Sequence, residues 1–398
     1  MSARWGVPAL GVGVFAVGTD EFVLAGVLPE LSRSFEVSVA AAGQVVTAFA
    51  LVCAVLAPVL NTLTAAWPRR RILLVALGVY LAGNVATALA PSFVLLVGAQ
   101  MVAAAGAGLF VPAAAVTAAS MVAADRRGRA IATVTTGFTA ATALGAPIGT
   151  ALGGAFGWRS TVWFLVALAV VGAAGVALLV PRNVAAPAPE GLRERLTPLR
   201  DRRALALMAT TLVGFTAVYI PYTYVAAVFE PATDGDGNRL AVLLFAFGVA
   251  GTAANYAAGV LADRFGGRAV VSGALVLLTG ALLVVPLTTG SYALALPMAV
   301  AYGFTAYAIT TPQQTRLIAL DPASASVLVS LNAAILYLAI SLSGVLGALG
   351  ISWSGAARLA LYAAGLSVVA LVLSELAHRL TRPAAADASE AAPLAARR

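Results

Sequence analysis

The chain has 398 residues, of which 61% are hydrophobic and only 10% charged; its net charge of +8 comes from arginine alone, with no lysine. Soluble globular chains carry about 25% charged residues, so this composition excludes a water-surrounded fold and makes the bilayer the solvent for most of the chain. The arginines fall in short bursts between apolar runs, not on one basic face interleaved with aromatics, which excludes nucleic acid as the partner.

About 20 apolar residues cross roughly 30 Å of hydrocarbon. Runs of that length predict spans 1 to 6 at 6–30, 40–62, 71–90, 93–121, 130–154 and 158–180. The first run lacks a small-residue cleavage site and is expected to stay in place. Residues 181–203 follow as a polar linker holding Pro181, Pro187, Pro189, Pro198 and six arginines, with a short surface helix expected around Leu192–Leu199. Spans 7 to 12 are predicted at 204–230, 239–261, 269–289, 291–318, 324–350 and 354–380. Residues 381–398 form an Ala-rich polar tail expected to be disordered and cytoplasmic. The predicted fold is an all-α membrane protein of twelve helices, in a six-helix bundle over 1–180 and a second over 204–380.

Orientation follows from arginine. With a cytoplasmic N-terminus, twenty arginines fall inside and four (Arg33, Arg159, Arg239, Arg358) outside. That ratio obeys the positive-inside rule, so both termini are expected in the cytoplasm and the protein in the cell membrane. The two halves share a layout, and the same loop in each carries an arginine cluster: 259–268 between spans 8 and 9, and 60–71 between spans 2 and 3. Repeated halves flanking a midplane site are a common transporter design.

The loop Gly259-Val260-Leu261-Ala262-Asp263-Arg264-Phe265-Gly266-Gly267-Arg268 resembles the signature of the major facilitator superfamily. More specific is Gly18-Thr19-Asp20-Glu21-Phe22-Val23-Leu24-Ala25-Gly26-Val27-Leu28-Pro29 in span 1. It is similar to the chloramphenicol-resistance and arabinose-efflux branch of the drug/proton antiporters. Leu144-Gly145-Ala146-Pro147-Ile148-Gly149-Thr150, with Gly153-Gly154 and Trp158-Arg159, resembles that branch's antiporter motif. The resemblance covers roughly residues 8–380 and implies a cytoplasmic latch at Asp263, Arg264 and Arg268. It also implies proton or cation coupling at Glu21, with Asp20 in place of a usual Thr or Ser. Two departures stand out. Thr64 occupies the acidic position of the first-half loop, and Gln100 stands where such exporters carry an Arg linked to proton coupling.

Asp20 and Glu21 are the acidic residues deep in a span. Ionised carboxyls there are costly, and such residues usually face a water-filled path or a partner. Neighbours on a helix point about 100° apart, so the two cannot line one cavity equally well. Either they work in coupling, Glu21 first, or they are protonated carboxyls bonded to a neighbouring helix. Asn84, Gln100, Tyr222, Asn255, Tyr302, Tyr307, Asn332 and Tyr337 are candidate cavity residues, each open to a packing role instead; tyrosine offers a face for cations and a hydroxyl for hydrogen bonds. Gly145, Gly149 and Gly153 recur every four residues beside Pro147, a row suited to close helix packing or to gating. Cys53, the one cysteine, lies in an apolar run, His378 reads as an interfacial residue, and no metal site is expected. The sequence has no phosphate-cradling loop and no nucleophile–His–acid set, so neither enzyme activity nor a cofactor is expected.

The expectation is a monomeric secondary efflux transporter, exchanging protons for a small neutral or cationic organic compound such as an antibiotic. The alternatives are a sugar or neutral-metabolite exporter, an uncoupled facilitator, or a non-transporting sensor on the same fold.

Overall fold

The computed structural model describes residues 3–123, 126–182, 184 and 197–381. Twelve helices in it are long and apolar enough to cross a membrane. Spans 1 to 6 are Trp5–Gly26, Val39–Leu63, Arg69–Ala88, Phe93–Ser120, Arg127–Phe156 and Trp158–Leu179. Spans 7 to 12 are Arg202–Thr223, Gly237–Phe265, Gly267–Thr288, Tyr292–Leu320, Val327–Ser354 and Ala356–Thr381. No strand occurs among the described residues. Most of the expected tail, and the part of the expected surface helix before Thr197, lie outside them; Thr197–Arg200 is a 3-10 turn.

The ends of the spans follow local chemistry. Ser38, Asp201 and Asp236 cap spans 2, 7 and 8 by accepting from Ala41, Arg203 and Asn238 backbone N–H groups, satisfying donors the first turn leaves unpaired. Gly157 and Gly355, at φ 83° and 80°, make the turns between spans 5 and 6 and between spans 11 and 12, the equivalent points of the two halves. Span 7 ends earlier than its apolar run predicts: after Thr223 the chain turns through the short helices Val225–Val228 and Glu230–Thr233. Span 10 is two helices, Tyr292–Tyr307 and Thr310–Leu320. Pro312 has no N–H to offer Ala308, which accounts for the break. Span 5 contains a π turn at Ala141–Gly145, and span 1 tightens into a 3-10 turn at Leu24–Gly26 before resuming as Leu28–Phe35.

Packing repeats between the halves. In the first, span 1 packs on spans 5 and 6, span 3 on spans 4 and 6, and span 2 on span 4; adding six to each number gives the packing of the second half. The halves meet through spans 2 and 11 and spans 5 and 8. They approach closely at the end away from the linker, the far end. A Cβ on Gly154 of span 5 would lie 2.9 Å from the Cα of Gly237 of span 8, and one on Gly43 would lie 2.3 Å from the Tyr224 hydroxyl. Gln44 donates to the Gly344 carbonyl at 3.4 Å, and Tyr224 donates to the carbonyls of Ala40 and Gly344 at 3.5 and 2.7 Å. On the linker side of the π turn, Thr133, Thr135 and Thr136 of span 5 are exposed.

Candidate functional site between the halves

Span 1 presents its two carboxylates to different surroundings because consecutive helical residues diverge by about 100°. Asp20 is fully buried inside the first half. Its Oδ2 accepts from Asn84 Nδ2 at 3.0 Å, and that amide also donates to the Tyr80 carbonyl at 3.2 Å. Tyr80 in turn donates its hydroxyl to the Ala16 carbonyl at 3.0 Å, tying spans 1 and 3 together around Asp20. Glu21, 6% exposed, faces the second half, where its Oε2 accepts from the Tyr337 hydroxyl at 3.1 Å.

Around Glu21 the halves meet through aromatic rings. Phe22 packs edge-on to Tyr222 with centroids 5.9 Å apart, Tyr222 meets Tyr219 at 6.0 Å and Phe247 at 5.0 Å, and Phe247 meets Tyr307 at 5.9 Å. The Tyr307 hydroxyl lies 3.5 Å from Thr142 Oγ1, a side chain of the π turn. A narrow cleft of about 10 Å³, room for a water-sized group, lies beside Glu21, walled by Phe22, Tyr219, Tyr222, Thr223 and Ile340. One carboxylate among ring faces can hold an organic cation by charge and by cation–π attraction, and a neutral compound by area and hydroxyl hydrogen bonds.

Of the candidate cavity residues, the structure brings Tyr222, Tyr307 and Tyr337 to Glu21's surroundings. Asn84 and Gln100 are fully buried within the first half. Tyr302 donates to the Val218 carbonyl, Asn332 accepts from Thr211 at 2.7 Å, and Asn255 accepts from Thr311 at 2.7 Å, all within the second half. Tyr219, Phe22, Phe247 and Thr142 were not singled out from sequence. Tyr219 stands three residues before Tyr222 and thus on the same helix face, a signal the sequence did contain.

Gly145, Gly149 and Gly153 face span 1: a Cβ on each would meet Thr19, Val23 and Val27 at 2.0, 2.5 and 2.7 Å. Small residues therefore fix span 5 against the turn that carries Glu21. Pro147 occupies the first turn of the helix that follows the π turn. At the linker end, Arg268 pairs with Glu375 at 2.5 Å, a residue of span 12, and Ser272 donates to the same carboxylate at 2.7 Å. Asp263 is exposed, and Arg264 lies 5.2 Å over the Phe265 ring. Arg268 is thus engaged within its own half. Thr64, at the acidic position of the first-half loop, donates to the Leu60 carbonyl at 2.7 Å.

Comparison with known proteins bears on the whole arrangement. The uncharacterized MFS-type transporter YbcL of Bacillus subtilis (strain 168) is 30% identical over 83% of this chain and 84% of the relative. A chloramphenicol resistance protein of Streptomyces lividans is 36% identical over 64% of this chain and 66% of its own. In fold, the chain matches a bacterial homolog of the human lysosomal transporter Spinster, crystallised inward-facing and unoccupied. The TM-score is 0.76 with 16% identity, covering 96% of this chain and 99% of that one. The Major Facilitator Superfamily model matches residues 10–344. Twelve spans in two packing-equivalent halves, with a buried carboxylate between them, accordingly belong to a multi-pass membrane transporter of the major facilitator superfamily, not to an enzyme.

Proposed function

We propose that this transporter exports a small neutral or cationic organic compound, of the kind used as antibiotics, in exchange for protons, from a cell membrane in which both termini are cytoplasmic. The observation that carries the reading is Glu21: a carboxylate 6% exposed, at the meeting face of the halves, bonded across it to Tyr337 and bordering an aromatic cleft. Protonation of Glu21 removes a charge from a nearly dry interface, which favours a state in which the halves are pressed together there. It also gives one carboxyl oxygen a proton to donate, while the other can still accept from Tyr337. A proton entering from outside would thus bias the return to the inward-open state, and a substrate from the cytoplasm would compete for the carboxylate and favour proton release inside. Similarity to a chloramphenicol resistance protein supports a drug-like substrate, and the twenty-to-four arginine ratio supports the orientation.

Everted vesicles carrying the protein and a pH-sensitive dye test the reading. With an inside-acid gradient imposed, amphenicols or lipophilic cations are expected to collapse it, sugars are not, and Glu21→Gln abolishes the response. Uphill export by Glu21→Gln would overturn proton coupling at this residue. One observation favours a second reading: Gln100, at the position where arginine serves proton coupling in similar exporters, is neutral. Under that reading the protein is a facilitator, and substrate flux in the same vesicles merely follows the substrate's own gradient.

A further inference from the structure

The first half holds a second carboxyl that the site between the halves does not use. Asp20 has no exposed surface. Its Oδ2 accepts from Asn84 Nδ2 at 3.0 Å, and that nitrogen also donates to the Tyr80 carbonyl at 3.2 Å. Two oxygens of the pair are left, Asp20 Oδ1 and Asn84 Oδ1, both buried and both without a partner. The neighbouring donors are already engaged. Tyr80 reaches the Asp20 carboxyl but gives its hydroxyl hydrogen to the Ala16 carbonyl at 3.0 Å. Cys53 of span 2, which also lies near, gives its thiol hydrogen to the Ala104 carbonyl at 3.4 Å. Glu21, the next residue, is itself an acid. Nor does a cation offset an ionised Asp20. Spans 2 and 4 carry no charged residue, spans 3, 5 and 6 carry their arginines at their ends, and Asp20 takes part in no ion pair among the described residues.

An ionised Asp20 would thus be a buried, unpaired charge with one bare oxygen, beside the bare oxygen of the amide it is bonded to, and both conditions are costly. A proton on Asp20 Oδ1 removes the charge and supplies the missing hydrogen. The carboxyl and the amide are each planar and already share one bond, from Nδ2 to Oδ2. A second bond, from the Asp20 hydroxyl to Asn84 Oδ1, closes a ring in which each group gives one hydrogen and takes one, and no polar atom of either is left over. We infer that Asp20 and Asn84 form a closed acid–amide pair whose proton stays on Asp20 while Glu21 exchanges its own. Asp20 is then a positioning residue. It ties span 1 to span 3 on one face of the turn whose other face presents Glu21 to Tyr337. The exchange is left with one carboxyl, and so one proton, per cycle; that consequence rests on the proton reading of Glu21, whereas the pair itself does not.

Infrared absorption of the purified full-length protein in nanodiscs tests the pair without a transport assay, because the C=O stretch of a protonated carboxyl is distinct from that of a carboxylate. With Glu21→Gln as the background, a protonated band is expected unchanged from about pH 5 to about pH 9, a range in which an ordinary aspartate is ionised. It should disappear when Asp20→Asn is added. Asp20→Asn together with Asn84→Asp should restore it with the same insensitivity to pH, since an acid again meets an amide. In thermal unfolding, Asp20→Asn keeps both bonds of the ring available and should match the background. Asp20→Leu, which leaves the Asn84 amide unserved, should lower the midpoint by several degrees. A variant that fails to fold shows itself there, and the pH series on the background still decides. A protonated band that fades as the pH rises, or none at neutral pH, overturns the inference. So does an exchanged pair whose acid ionises in that range, because burial without the amide partner would then be the cause. Proton exchange at Glu21 is decided separately by the vesicle assay, and its failure there would leave the Asp20 band in place.

Discussion

The two ends of the bundle are held by different forces. At the far end the halves are joined by close glycine contacts, Gly154 against Gly237 and Gly43 against Tyr224, and by hydrogen bonds from Gln44 and Tyr224, with no ion pair between them among the described residues. At the linker end Arg268 and Glu375 form an exposed ion pair inside the second half. Van der Waals contact of backbone on backbone needs close approach and tolerates no added atoms. Exposed ion pairs are weak and salt-sensitive. A closed far end and a loosely tied linker end therefore differ in what can open them.

The largest expected effect comes from placing a side chain in the far-end contact. Gly237→Leu should hold the far end apart, making it reachable by a membrane-impermeant label from that side and abolishing transport. A variant that stays shut and active there would break the comparison. Next comes Tyr224→Ala, which removes the ring set between Gly43 and Gly347 and its bond to Gly344. It should raise far-end labelling several-fold while leaving the fold intact by circular dichroism. Asp201→Ala, at the cap of span 7, removes an acceptor for a first-turn N–H and should cost about 0.5–2 kcal/mol of stability. The hydrogen bond from Arg203 holds the Asp201 carboxyl below its ordinary value of 3.8. A depressed folded-state value means the cap's contribution is complete above about pH 4 and lost as the pH falls further, so wild type and Asp201→Ala should converge in thermal stability under acid. The smallest effect is expected of Glu375→Gln, a partner in a largely exposed pair: a slight destabilisation at low salt that vanishes at high salt.

The number of spans, the two halves and the pairing of arginine loops were legible in the sequence because the bilayer imposes a length on apolar runs and arginine marks one side. The break in span 10 was less so, since Pro312 within a long apolar run reads equally as a kink or an end. At the site, the divergence of Asp20 and Glu21 followed from helix geometry, but which half each would face did not. That depends on the packing of spans 3 and 11, and so on Asn84 and Tyr337, residues 64 and 316 positions away along the chain. Candidate polar residues were identified by depth alone, and depth does not separate a side chain facing its own half from one facing the other: Asn84 and Tyr337 are both deep, with opposite addresses. Gln100 reads in the sequence as a missing arginine, whereas the lack of a hydrogen-bond partner for its buried amide needed coordinates.

The π turn at Ala141–Gly145 has a consequence for how span 5 can vary. The piece before it packs on spans 1 and 4, and the piece after it packs on spans 1, 6 and 8. A five-residue ring inserts one residue without completing an ordinary turn, so the faces of the two pieces are offset by roughly 100° from those of an unbroken helix. Gly145, Gly149 and Gly153 meet Thr19, Val23 and Val27 only in that phasing. Removing a single residue anywhere near the joint would rotate the glycine row away from span 1, while many exchanges of one small residue for another would leave it in place. Span 5 is thus a segment in which the count of residues is more tightly constrained than their identity.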